Sequence, residues 1–127
     1  MKDLKFLIVD DLDFSRRTTL WELERLGFES FVTASSGEEA LSKLLADDTI
    51  NFLIIDWQMS IMSSLELVKE IRGNEKLSNL PILIIISRSR AEDILAALQA
   101  GVDAYLAQPF SLDVLRSRIE GLLVPAP

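Results

Sequence analysis

Three carboxylates stand out as candidates for chemistry. Asp10 and Asp11 follow the apolar run Phe6–Val9, and Asp56 follows the apolar run Phe52–Ile55. Acids so placed could hold a hard divalent cation through oxygen atoms alone, or one of them could act as a nucleophile toward phosphorus. Carboxylates gathered at close range repel one another, so such a cluster calls for a compensating cation, and with oxygen donors only, Mg²⁺ is the natural choice. The plainer alternative is that Asp10 and Asp11 cap the first helix or turn and Asp56 caps another. The sequence has no cysteine and no histidine, which removes thiol chemistry, disulfides, cysteine zinc sites, histidine bases and histidine metal ligands.

The elements that must position these acids are visible as five short apolar runs: Phe6–Val9, Ser30–Thr33, Phe52–Ile55, Ile82–Ile86 and Ala104–Leu106. The first, third and fourth are continuously apolar, as expected of strands buried on both faces of a parallel sheet. Between the runs lie helical spacings: Leu20, Leu23 and Leu26; Leu65, Val68 and Ile71; Ile94 and Ala97; Leu115 and Ile119. Ser36 with Glu39, Ser63 with Glu66 and Ser89 with Glu92 have the spacing of a capping box at a helix start. Gly27, Gly73 and Gly101 fall where the helices should end. The pattern predicts βαβαβαβαβα, an α/β doubly wound five-stranded parallel sheet with helices on both faces. In such a sheet, ligands bind beyond the carboxyl ends of the strands where the winding reverses. If the strand order is 2-1-3-4-5, the first and third strands are neighbours and the three acids meet at one edge.

A length of 127 residues, 49% hydrophobic and 26% charged, fits one compact globular domain. We expect it to span residues 1–123, with 124–127 a tail or the start of a linker. The net charge of −7 argues against a nucleic-acid surface and for a cation or a partner with basic patches. The longest apolar stretch, Ile82–Ile86, is too short to span a bilayer, and the start reads as a strand rather than a secretory signal. The expected location is the cytoplasm, with no membrane partner.

Three segments carry a resemblance. Lys5–Asp11 (KFLIVDD), Ile54–Trp57 (IIDW) and Tyr105–Phe110 (YLAQPF) resemble the receiver domains of two-component response regulators, most closely the single-domain chemotaxis type. The likeness runs from about residue 4 to 123. It implies the flavodoxin-like strand order 2-1-3-4-5 with five helices, and it implies roles. Asp56 would be the phosphoacceptor, Asp11 a direct Mg²⁺ ligand, and Asp10 a ligand acting mainly through water. The backbone carbonyl of Gln58 would complete the protein's share. Tyr105 would be a switch aromatic, or else a half-buried strand aromatic packing on the fourth helix. The resemblance also implies a cis peptide at Gln108–Pro109. The donor would be a histidine kinase or phosphotransfer protein, and residues 91–122 would face a downstream target. A second copy of the chain is a further candidate partner, and Trp21, set off the leucine stripe of the first helix, is a candidate docking residue.

The sequence also departs from that family. The family's lysine after the fifth strand is Gln108 here, and its serine or threonine at the end of the fourth strand is Ile86 in gapless register, with Ser87 one residue late. The proline and glycine usual after the acceptor are Ser60 and Ser64. Arg88 and Arg90 could replace the missing charge or simply be solvated loop residues. Two other readings stay open: a pseudo-receiver that binds proteins without phosphorylation, and, from Asp11-Leu12-Asp13, a haloacid-dehalogenase-like phosphatase. The phosphatase would need a further acidic pair after a later strand, and none follows the fourth or fifth run.

Overall fold

The computed structural model describes residues 3–57, 59, 61–87 and 92–123. Gln58, Ser60, Arg88, Ser89, Arg90 and the tail 124–127, all singled out above, lie outside the described residues. The elements alternate as β1 (Lys5–Val9), α1 (Asp13–Arg25), β2 (Ser30–Ala34), α2 (Gly37–Ala46), β3 (Phe52–Asp56), α3 (Ile61–Arg72), β4 (Ile82–Ser87), α4 (Ile94–Ala100), β5 (Ala104–Gln108) and α5 (Leu112–Leu123). The strands form one parallel sheet in the order β2-β1-β3-β4-β5, as expected. No helix among the described residues is long and apolar enough to cross a membrane.

Strand alternation sorts the core into two halves. Phe6, Ile8, Phe52, Ile54, Leu83, Ile85 and Leu106 meet Leu23 of α1 and Leu115 and Ile119 of α5. Leu20 and Leu26 pack against the same cluster, so the leucine stripe of α1 does face the sheet. The opposite face sets Leu7, Val9, Leu53, Ile55, Ile84 and Ile86 against α2, α3 and α4, through residues such as Leu44, Val68, Ile71 and Ala97. Each fully buried Leu, Ile or Phe contributes about 1.5–3 kcal/mol relative to exposure.

The helix ends follow the sequence in part. Ser36 caps α2, its hydroxyl accepting the Glu39 amide at 3.0 Å. The Glu39 carboxylate reaches back one residue further than a capping box requires, to the amide (2.8 Å) and hydroxyl (2.9 Å) of Ser35. Those bonds and Lys43 hold its pKa down to about 2. Ser63 falls inside α3, which already runs from Ile61. Gly27 (φ 98°) and Gly101 (φ 115°) take the left-handed conformation, whereas Gly73 does not and instead closes α3 by donating to the Lys69 carbonyl at 3.0 Å.

One side chain fastens the amino-terminal edge of β4 and β5. Arg72, the last residue of α3, donates to the carbonyls of Gly101 (2.8 Å), Ser78 (3.0 Å) and Leu80 (2.7 Å). It also pairs with Asp103 at 2.8 Å, and Asp103 in turn accepts the Ile82 amide at 2.8 Å. Arg72→Met keeps the stem but strands three part-buried carbonyls. Its unfolding free energy, read from denaturant melts, is expected to fall by about 2 kcal/mol. A loss below about 0.5 kcal/mol would show that water replaces the guanidinium at no cost.

Candidate functional site

The carboxyl edge of the sheet gathers two of the three acids. Val9 and Ile55 are register partners on neighbouring parallel strands, so Asp10 and Asp56 stand side by side one step further on. Neighbouring strands are about 4.8 Å apart, and even-numbered residues of β1 and β3 face α1 and α5. Both side chains are nearly sealed from solvent, Asp10 at 1% exposure and Asp56 at 7%. Asp11 lies at the exposed rim of the turn. Among the described residues no three acidic side chains are gathered into a metal-binding cluster. The drawn-together acids are therefore Asp10 and Asp56, with Asp11 outside them.

The two oxygens of Asp10 do different work. Oδ1 accepts the Leu12 amide at 2.9 Å, so the plain turn-capping reading holds for that half of the carboxylate. Oδ2 accepts the Ser15 hydroxyl, and the same hydroxyl lies 3.2 Å from Oδ2 of Asp56. Leu12 supplies no side-chain cap to α1. The helix start is fixed instead by Arg16, which donates to the Asp10 carbonyl at 2.8 Å and pairs with Asp13 at 2.8 Å. Ser15 is a site residue that the sequence reading missed. The only signal for it was a hydroxyl one helical turn beyond an acidic turn.

Strand parity decides what β4 and β5 bring. Asp56 pairs with Ile85, and Ser87 pairs with Gln108. Ile85, Ser87, Gln108 and Asp56 therefore share one face, while Ile86 points to the other with Tyr105. Ile86 is 1% exposed and wholly within the apolar core. The pairing runs through Ser87 without a bulge, so Ser87 does not turn to the face of Ile86. Tyr105 is half-buried in the cluster that holds Ile94 and Ala97 of α4, and its carbonyl accepts Arg118 Nε at 3.2 Å. The Gln108–Pro109 peptide is cis, as the resemblance implied.

Gln108, Pro109, Phe110, Phe14, Ser15, Thr18, Thr19 and Glu22 line a groove of about 490 Å³ beside the acids. Burial in it raises the Glu22 pKa above the ordinary carboxylate value. Next to β3, Trp57 is fully buried, as is Ser64 on α3, and neither Trp57 Nε1 nor Ser64 Oγ has a hydrogen-bond partner. Trp21 is 54% exposed, with the Arg25 guanidinium stacked 4.8 Å above its ring.

A family model for the response regulator receiver domain matches residues 6–120. The chemotaxis protein CheY1 of Helicobacter pylori is 38% identical over 120 residues, which cover 94% of this chain and 97% of that protein. Two solved structures share the fold. One, a protein of Chloroflexus aurantiacus assigned to the response regulators, aligns with a TM-score of 0.87 at 30% identity, covering 96% of this chain and 98% of its own. The other is the chemotaxis response regulator CheY4 of Vibrio cholerae, with a TM-score of 0.82 at 26% identity and coverage of 95% and 99%.

Two nearly buried carboxylates on adjacent strands repel each other. Asp56→Asn removes one charge and keeps the shape. In EDTA its melting temperature is expected to rise by about 4 °C, the equivalent of about 1 kcal/mol in a domain of this size. A melting temperature equal to or below that of the parent would show that the pair is not under electrostatic strain.

Proposed function

We propose that this chain, which belongs to the response regulator receiver domain family, accepts a phosphoryl group on Asp56 from a histidine kinase or phosphotransfer protein. The observation that supports this most is the seating of Asp56 beside Asp10, both nearly buried, at the carboxyl edge of two adjacent strands. A carboxylate oxygen of Asp56 attacks phosphorus in line, the bond from phosphorus to the donor's imidazole nitrogen breaks, and an acyl phosphate forms. Asp10 is held by the Leu12 amide and Ser15, so it fixes one wall of the site without moving.

The donor set fits a hard divalent cation. It offers oxygen only, from two nearly buried carboxylates on adjacent strands that both contact the Ser15 hydroxyl. In this reading Asp56 and Asp11 hold Mg²⁺ directly, Asp10 acts mainly through water, and the carbonyl of Gln58, outside the described residues, completes the set. Asp11 turns inward from the rim to do so. When bound, Mg²⁺ neutralises charge on the transferring oxygens.

Signal output is weakened at two places. Gln108 offers the phosphoryl group a neutral amide where the family has a charged lysine, and such a hydrogen bond is roughly half as strong. Ile86, the residue on the Tyr105 face, has no donor at all. Ser87 has one, but it lies on the face opposite Tyr105, so a phosphoryl contact there does not pull on the aromatic. A ligand shifts a conformational equilibrium only by its differential affinity for the two states. Phosphorylation therefore changes the charge of the surface near the site more than it rearranges the α4–β5–α5 face. On that face Leu95 and Leu98, at 64% and 44% exposure, together with Val114, offer apolar area to a downstream target. Trp21 on α1 offers a separate docking anchor.

Incubation with Mg²⁺ and a small phosphodonor should add the mass of one phosphoryl group to the parent and none to Asp56→Ala. An unmodified parent would instead make the chain a pseudo-receiver. In a beryllofluoride complex, Tyr105 is expected to keep its rotamer. An inward flip of Tyr105 on binding the mimic would show that the full switch survives without Lys and Thr.

A further inference from the structure

We propose that the outer face of α1 docks a second copy of this chain, in an isologous dimer centred on Trp21. The inference goes beyond phosphoryl acceptance and does not depend on it. On this face Phe14 and Trp21 stand seven residues apart, about two helical turns, at 83% and 54% exposure. Among the described residues they are the two aromatic side chains left mostly in water. Tryptophan and arginine are among the residues most enriched where proteins meet, and the Arg25 guanidinium lies 4.8 Å from the Trp21 ring centre.

Two features identify the occupant as the chain itself. The first is self-complementarity. A twofold contact uses the same patch on both copies, so that patch must carry a projection, a recess to receive it, and charges of both signs. Trp21 projects beside a depression of about 270 Å³ that it lines together with Arg17, Leu20, Glu24 and Thr33. Arg17 lies four residues before Trp21, and Glu24 lies three after it. With the helices antiparallel and the twofold beside Trp21, each ring covers the other copy's depression. Each Arg17 then falls opposite the other copy's Glu24. Arg17 is 80% exposed, and its 3.2 Å pair with Asp13 is a surface pair of little worth, so it can turn to a new partner. Glu24 has no ion pair among the described residues.

The second feature is charge. The chain carries −7, so two copies repel over most of their surface. The exposed charged residues of α1 are Asp13, Arg17, Glu24 and Arg25, two acids and two arginines that cancel. Arg16 and Glu22, both half-buried, cancel as well. Two copies therefore meet here without net repulsion, whereas a strongly basic or acidic partner finds no net charge to match. The helix has 13 residues and is about 20 Å long. A crossing of two such helices buries less than the ~1,600 Å² of a standard interface, which sets the expected Kd at about 10–100 µM.

Sedimentation equilibrium of the full, unphosphorylated chain from micromolar to millimolar concentration tests this. The mass of the parent should rise from that of one chain toward that of two. Trp21→Ala should weaken association by about tenfold or more, as removal of a hot-spot aromatic does. Arg17→Glu and Glu24→Arg should each weaken it. The double variant, which exchanges the charges across the twofold, should return to within about threefold of the parent. All three positions are exposed, so the circular dichroism of each variant is expected to match the parent. A parent that stays monomeric at millimolar concentration overturns the proposal and leaves Trp21 to a different protein. A dimer indifferent to Trp21→Ala places the contact elsewhere, and the proposal falls. A double variant as weak as the single ones would refute the reciprocal pairing of Arg17 with Glu24, and with it the twofold at Trp21.

Discussion

Two negative charges nearly buried side by side are the constraint around which this structure is arranged. Bringing Asp10 and Asp56 together costs electrostatic energy that no ion pair among the described residues offsets for Asp10. The fold tolerates that cost because everything beneath it is apolar and continuous. Phe6–Val9 and Phe52–Ile55 are buried on both faces, and their register places the acids one step past the last buried pair. The crossover order puts β1 and β3 in contact, so the winding reverses at the point where the charges lie. Stability is supplied elsewhere, by the two cores and by the Arg72 clamp at the opposite edge. The carboxyl edge is left free to hold two nearly buried acids.

The sheet could be read from the sequence because strands buried on both faces leave a plain signal, an unbroken apolar run ending in a turn. Every such run became a strand, usually one or two residues longer than its apolar part, since Asp56 and Ser87 complete ladders begun by their neighbours. The helix ends were harder. Ser36 and Ser63 carry the same capping spacing, yet Ser36 precedes its helix and caps it whereas Ser63 lies within α3. The pattern is satisfied equally by a helix that has already begun, and nothing local distinguishes the two cases.

The site was readable at the level of residue type and less so at the level of direction. Asp10 and Asp56 could be paired from topology, but the outward position of Asp11 depends on turn dihedrals that its neighbours do not dictate. Ser15 was invisible because a serine inside a helix usually points to solvent or back-bonds to its own turn. Here it reaches forward to two acids because Asp10 sits directly under the first turn. The contrast between Ile86 and Ser87 follows from parity and was foreseeable once the strand was known to run straight through both. On the proposed reading, it is also the reason that phosphorylation of Asp56 would move Tyr105 little. The residue aligned with the phosphoryl-sensing hydroxyl faces the core, and the hydroxyl that is present faces away from the aromatic it would have to move.

On the proposed reading the paired acids form a cation site that includes the acceptor, Asp56. Trp57, fully buried and adjacent in sequence to Asp56, is a built-in reporter of it. Fluorescence followed through an Mg²⁺ titration is expected to change saturably in the millimolar range, with the change abolished in Asp11→Ala and weakened in Asp10→Ala. A signal unmoved by Mg²⁺, together with no heat of binding by calorimetry, would contradict the account.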